Sequence, residues 1–139
     1  MQLNTYVTFN GQCEAAFKFY EQCLGGKIEA MFTHAGTPAA GQVPPEWLNK
    51  IMHARLRVDE GILMGSDAPP DRYKGTHGFS VSIAIEKPAD AERIFKALSE
   101  NGKVHMPIGQ TFWAERFGML TDQFGIPWMV NCEGAVKYE

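Results

Sequence analysis

The sequence repeats itself, and this repeat constrains the fold more than any other feature. Displaced by 76 positions along itself, the chain sets Ala15 over Ala91, Phe19 over Phe95, Gly26 over Gly102 and Lys27 over Lys103, with Glu14 over Asp90 and Ile28 over Val104. Both stretches read as a helix with an apolar stripe, a glycine stop and a lysine leading into a strand. Matches placed at equivalent points of one structural unit identify a duplicated module. With 139 residues in all, each copy has room for one helix and about four short strands.

The local pattern fills in that unit. Residues 3–9 read as a strand, 12–24 as a helix with Ala16, Phe19, Tyr20 and Cys23 on one face, and 27–33 as a strand. Residues 34–49 hold three Pro and two Gly, a long excursion suited to a lid or to contact with a partner chain. Alternation resumes at 51–58, turns at Asp59-Glu60-Gly61 and returns through 62–66 as a hairpin. The second copy begins with a strand at 79–85, a helix at 89–100 behind Pro88, and a stop at Asn101-Gly102. Residues 103–106, 111–120 and 126–132 supply the last strands, with Asp122-Gln123-Phe124-Gly125 as the connecting turn.

Charge and composition exclude several functions. Thirteen Lys and Arg against sixteen Asp and Glu give a net charge of −3, and no stretch gathers the cations that phosphate neutralisation requires, so nucleic acid is not an expected partner. No apolar run reaches the roughly 20 residues of a membrane span, and Met1-Gln2-Leu3-Asn4-Thr5 does not read as a signal peptide. Cys13, Cys23 and Cys132 are odd in number and lack CxxC spacing, which fits inert reduced thiols and a cytoplasmic protein. There is no GxGxxG after a strand, no P-loop and no GxSxG elbow.

Two βαβββ units in a short chain resemble the vicinal oxygen chelate superfamily, which includes glyoxalase I, bleomycin-resistance proteins and extradiol dioxygenases. The stretch Thr111-Phe112-Trp113-Ala114-Glu115-Arg116-Phe117-Gly118, followed by Thr121-Asp122-Gln123-Phe124-Gly125-Ile126-Pro127-Trp128-Met129-Val130-Asn131, is similar to the PhnB-like branch. Tyr6 with Phe9 and Gly11, Phe19-Tyr20 before Leu24-Gly25, His53-Ala54, and Met64 with Ser66-Asp67 carry the same resemblance. It covers about residues 3–132. The resemblance implies an α+β fold in which two βαβββ modules, about 1–68 and 76–133, make one glyoxalase-like domain with a curved eight-stranded mixed sheet. The helices would lie outside and a ligand in the central cup. Relatives in this branch have been labelled ubiquinone-pathway methyltransferases, but no glycine-rich adenosylmethionine loop is recognisable here.

In the superfamily a divalent metal held at four strand positions polarises vicinal oxygens of the substrate. The resemblance puts those positions on Thr5, near Met64, between Ser80 and Ser82, and on Met129. Thioether and hydroxyl side chains do not hold such an ion, so no metal cofactor is expected at the inherited place. An alternative is that His53 and His77, with Asp67 or Glu115, rebuild a metal site. His34 and His105 add little to it.

On the strand at 51–58, Met52, Ala54, Leu56 and Val58 form an apolar row, while Ile51, His53, Arg55 and Arg57 form the other. Turning the apolar row to the helix aims His53 and Arg55 at the ligand. Pairing of Arg55 with an acidic neighbour is the competing reading. In the first strand, alternation sends Val7 and Phe9 to the helix, whereas the family register sends Thr5 inward with them. Trp113 is assigned to the cup and Trp128, by alternation with Met129, to the core. Asp67 either forms a turn or orients His53.

The expected ligand-binding set is therefore His53, Arg55, Met64, Ser80, Ser82, Trp113, Glu115 and Met129, with catalytic residues unassigned. The expected ligand is a small organic molecule, partly apolar, with an oxygen or anionic group. A metal-dependent lyase, isomerase or dioxygenase with a rearranged site is the alternative, and a scaffold for protein contacts is a third possibility. Open sheet edges predict a homodimer with residues 34–49 near the partner's cup.

Overall fold

The computed structural model describes residues 1–135, and the chain divides into two compact units, the first Met1–Gly75 and the second beginning at Thr76. Each unit is a four-stranded mixed sheet with one helix, so the α+β class and the βαβββ module hold in both.

In the first unit β1 (Thr5–Phe9) leads into α1 (Cys13–Leu24), followed by β2 (Lys27–Thr33), β3 (Ile51–Val58) and β4 (Gly61–Asp67). The strand order is β1-β4-β3-β2, with β1 parallel to β4 and the other pairs antiparallel. Val7, Phe9, Ala54, Leu56 and Leu63 are buried together with Ala16, Phe17 and Tyr20 of α1. Alternation thus decides β1: Val7 and Phe9 are in the core, and Thr5 has the same parity. Phe17, not Phe19, is the fully buried phenylalanine of α1. Its ring meets Phe9 edge-on at 6.1 Å and lies over Gly65, where a Cβ would come within 2.8 Å of it.

No side chain within α1 caps its N-terminus. The carboxylate of Asp67, buried at the end of β4, does so from a distance: Oδ1 accepts from the Gly11 amide at 3.0 Å and the Cys13 amide at 2.9 Å. Oδ2 accepts from the Ile51 amide at 2.9 Å. One side chain therefore joins β4, the start of α1 and the start of β3. For Cys13, the first residue of α1, it supplies the acceptor that a first-turn amide does not find inside the helix. Both sequence readings of Asp67 are replaced by this arrangement.

The excursion between β2 and β3 is anchored to its own unit. The amides of His34 and Ala35 donate to the carbonyls of Lys50 and Leu48 at 3.1 and 3.0 Å. Two short 3-10 turns, Pro38–Gln42 and Pro45–Trp47, follow. Lys50 Nζ donates to the Gly11 carbonyl at 3.1 Å and sits 5.9 Å from the Trp47 ring centre.

The second unit has β5 (Val81–Ala84), α2 (Pro88–Leu98), β6 (Lys103–Gly109), β7 (Arg116–Thr121) and β8 (Pro127–Cys132), in the order β5-β8-β7-β6. Ala91, Phe95 and Leu98 of α2 are buried, as are Leu120, Trp128 and Val130 of the sheet. Trp128 is in the core as expected, its indole donating to Asp122 Oδ2 at 2.8 Å. Residues 111–115, expected to be strand, form a turn instead. The Thr111 hydroxyl accepts from the amides of Trp113 and Ala114 at 3.3 and 3.1 Å, which draws them out of the ladder.

The duplication is visible atom by atom. A left-handed residue follows each helix, Gly25 at φ 72° as the cap of α1 and Asn101 at φ 57° in the turn beyond α2, which itself ends at Leu98. At the next position a Cβ on Gly26 or on Gly102 would lie 2.5 Å from a neighbouring carbonyl oxygen, that of Arg57 or Thr121. Beyond it, Ile28 pairs with Leu56 and Ala30 with Arg55, while Val104 pairs with Leu120 and Met106 with Met119. Glu29 and His105 are thus the extra residues of equivalent β-bulges.

Candidate functional site

In the first unit the sheet face opposite α1 gathers chemistry that the helix side lacks. Tyr6, Met64 and Arg55 lie in register across β1, β4 and β3. The ring of His53 stacks on Tyr6 at 5.8 Å and 29°, with His53 Nδ1 3.3 Å from the Tyr6 hydroxyl. On its other flank Phe32 of β2 lies 5.8 Å away. Tyr6 and Phe32 are 46% and 43% exposed, so this aromatic row is solvent-accessible and not a core cluster.

Beside the row lies an ionic cluster. Because Glu29 is the bulge residue, its carboxylate reaches two residues of one strand: Arg55 Nε donates to Oε1 at 2.9 Å and Arg57 Nε to Oε2 at 2.8 Å. The hydrogen bond from Arg57, then that from Arg55, holds the Glu29 carboxyl below the usual carboxylate range. Two guanidiniums share one carboxylate, leaving one net positive charge. Arg55 is therefore paired with an acidic neighbour, although only its Nε is used by Glu29 and Nη1 turns to the Met64 sulfur at 3.9 Å.

The corresponding face of the second unit is softer. Ser82 pairs with Met129, which pairs with Met119, which pairs with Met106. Ser80 precedes β5, half-buried. Trp113 packs edge-on against Phe117 at 5.2 Å and Phe112 at 4.9 Å. Glu115 turns elsewhere: its carboxylate accepts from the Ala135 amide at 2.8 Å. The structure thus groups His53, Arg55 and Met64 in one unit and Ser82 with Met129 in the other, with Trp113 beside Phe117.

Three residues of these faces escaped the sequence reading. Phe32 and Glu29 depend on the bulged register of β2, which no alternation pattern shows. Asn131, paired with Phe117 and Ala84, has a buried Oδ1 without a hydrogen-bond partner among the described residues. An unsatisfied polar group in a sheet interior is an available signal only once burial is known.

The donors do not fit a divalent metal. Among the described residues no three His, Cys, Asp or Glu side chains converge. Asp67 is occupied by three backbone amides, His34 Nδ1 by the Lys50 carbonyl and His105 by Thr121 Oγ1. His77 is exposed ahead of β5. A hard or borderline cation requires several converging oxygen or imidazole ligands, and Met64, Ser82 and Met129 do not provide them.

Comparison with known proteins agrees with this architecture. The sequence model of the Glyoxalase/Bleomycin resistance protein/Dioxygenase superfamily matches residues 2–130. Protein YjdN of Escherichia coli (strain K12) is 32% identical over 139 residues, covering 94% of this chain and 95% of that protein. The crystal structure of protein PA1353 from Pseudomonas aeruginosa has a TM-score of 0.88 at 50% identity, with 96% and 98% of the two chains covered. The PhnB protein from Bacillus cereus, at 21% identity, shares the fold with a TM-score of 0.79 over 95% and 99% of the chains. No helix among the described residues is long and apolar enough to cross a membrane.

Proposed function

The chain belongs to the glyoxalase/bleomycin resistance protein/dioxygenase superfamily, and we propose that it is a PhnB-like member that binds a small, partly apolar organic molecule carrying an oxygen or anionic group, without the divalent metal of its metal-dependent relatives. The observation that carries this reading is the accessible row Tyr6–His53–Phe32 beside the net-positive Arg55–Glu29–Arg57 cluster on the sheet face opposite α1. Flat rings supply apolar contact, and a guanidinium with free N–H groups supplies a charged donor. Met64 completes this face of the first unit, and Ser82, Met129 and Trp113 are proposed as ligand contacts on the second unit, taken by itself. Ser80 and Glu115 keep a weaker claim, since neither lies in a strand and the Glu115 carboxylate already has a partner.

Mass spectrometry of small molecules co-purifying with the protein identifies the ligand, and calorimetric titration then tests the site. Arg55→Ala is expected to weaken binding by about 1.5–3 kcal/mol, the range for a hydrogen bond to a charged group. His53→Ala is expected to weaken binding as well, because it removes the ring that lies between Tyr6 and Phe32. Unchanged affinity in both variants would mean that the ligand does not use this face. Metal analysis of untagged protein is expected to find well under one equivalent of zinc, nickel, iron or manganese. A stoichiometric ion that disappears in His53→Ala would favour the metal-dependent lyase, isomerase or dioxygenase reading instead.

The same reading assigns a homodimer and a cytoplasmic location. Exposed Phe79, Val104, Met106 and Phe112 supply apolar surface for a second copy, and a monomer mass by light scattering at micromolar concentration would refute the dimer. Three buried free thiols suit a reducing compartment.

A further inference from the structure

A cavity of about 390 Å³ lies in the first unit, under the excursion between β2 and β3, and is lined by neither His53, Arg55 nor Met64. Its polar walls are Thr8 of β1, Ser66 and Asp67 of β4, His34 and Arg72. Met52 and Val43 contribute apolar surface. The volume is within the range of small-molecule pockets.

The walls have defined hydrogen-bonding character. His34 is 6% exposed, and its Nδ1 lies 2.9 Å from the Lys50 carbonyl oxygen. A carbonyl only accepts, so Nδ1 carries a proton, and in the tautomer with that single ring proton Nε2 is the acceptor. Thr8 and Ser66 are register partners on β1 and β4, which sets two hydroxyls side by side. The Arg72 guanidinium donates through Nη2 to the Gln42 carbonyl at 2.7 Å, which fixes it against the excursion with further N–H groups unused. Asp67 is held by three backbone amides, so it contributes a negative charge more than a free acceptor. Arg72 and Asp67 together make the walls close to neutral, which disfavours a dianion.

We propose that this cavity binds a small monoanionic hydroxycarboxylate, its carboxylate on Arg72 and its hydroxyl donating to His34 Nε2 between Thr8 and Ser66. The carboxylate matches a planar guanidinium fork. The hydroxyl is the part that an acceptor imidazole selects, because a carboxylate without it leaves Nε2 unmatched. The site is independent of the proposed use of His53 and Arg55.

The test is a titration of the full-length ¹⁵N-labelled protein, followed by amide NMR shifts, with lactate as probe. Propionate lacks the hydroxyl, 1,2-propanediol lacks the charge, and malate is a dianion. Lactate is expected to shift the amides of Thr8, Ser66 and His34 and to bind at least about fivefold more tightly than any of the other three. Arg72→Gln, an exposed change, is expected to remove the advantage of lactate over propanediol, and Ser66→Ala to weaken lactate while leaving the advantage of charge. His53→Ala is expected to leave lactate binding unchanged, so that failure here and failure of the Tyr6–His53–Phe32 site, farther along the same sheet face, are told apart. The proposal is overturned by equal affinity for lactate and propanediol, by an Arg72→Gln variant that binds lactate normally, or by no saturable shift at about 100 mM probe.

Discussion

Replacing Asp67 by Asn and by Ala measures how much one carboxylate contributes to the first unit. In the wild type it accepts three backbone amides at 2.9–3.0 Å while only 4% exposed. In Asp67→Asn the carbonyl oxygen can keep the amides of Gly11 and Cys13, but the new NH2 faces the Ile51 amide, donor against donor. One bond to a charged acceptor, about 1.5–3 kcal/mol, is lost outright, and the other two weaken to neutral bonds. The expected destabilisation is about 3 kcal/mol. Asp67→Ala leaves all three donors without an acceptor and should cost about 4–5 kcal/mol, a large share of the roughly 5–15 kcal/mol that holds a domain folded. Urea unfolding at neutral pH, followed by circular dichroism, is the assay. With a slope of about 2 kcal/mol/M, the Asn variant should lower the midpoint by about 1.5 M. An Asn variant within about 0.5 kcal/mol of the wild type, or an Ala variant no worse than Asn, would refute the assignment of these bonds as the joint between α1, β3 and β4.

Further outcomes follow from other contacts. Gly118→Ala puts a Cβ 2.5 Å from the Phe95 ring and should destabilise by about 1–3 kcal/mol, measured by thermal melting; an unchanged melting temperature would mean that α2 shifts freely over the sheet. Burial, and then the charge of Asp67, pushes the Cys13 thiol up, and Cys23 and Cys132 are buried as well, so an aromatic disulfide reagent should react slowly with native protein and rapidly after denaturation; fast reaction of one thiol in the native state would contradict the packing. Glu29 has a lowered folded value, so the stability it contributes is complete above the ordinary glutamate range and is lost as pH falls through that lowered value. Melting curves of wild type and Glu29→Gln should therefore converge in acid, and a gap that does not narrow at all as the pH is lowered below the ordinary glutamate range would refute the pairing.

The sequence-level reading succeeded where period-2 alternation and turn chemistry act alone. The burial of Ala54 and Leu56, the placement of His53 and Arg55 opposite them and the core position of Trp128 all follow from local pattern, whereas α2 ends at Leu98, before the stop expected at Asn101-Gly102. It failed where the ladder is interrupted. Met52, placed in the apolar row by parity, is the extra residue between the pairs Phe32–His53 and Thr33–Ile51, so it lines the cavity instead of filling the core. Glu29 is hidden for the same reason, and with it the partner of Arg55. The three amides on Asp67 come from residues 16 and more than 50 positions away, a range that neither periodicity nor a turn motif reaches. The strand expected at 111–120 formed only from Arg116 onward; its first part failed on a single hydroxyl, that of Thr111, competing with the ladder for two amides.

The paired bulges at Glu29 and His105 bear on how two copies of a module come to differ. A residue in regular strand is bound by parity: exchange a core-facing side chain for a charged one and the layer beneath it is disturbed. The bulge residue is released from that rule by the backbone itself, while the pairs on either side continue to hold the register. After a duplication, such a position can change chemistry with its ladder intact. Glutamate on one copy clasps Arg55 and Arg57, while histidine on the other meets Thr121. Divergence has thus separated an acidic clamp from a hydroxyl contact at one inherited place, which makes residues 29 and 105 the natural pair to exchange when re-engineering either sheet face.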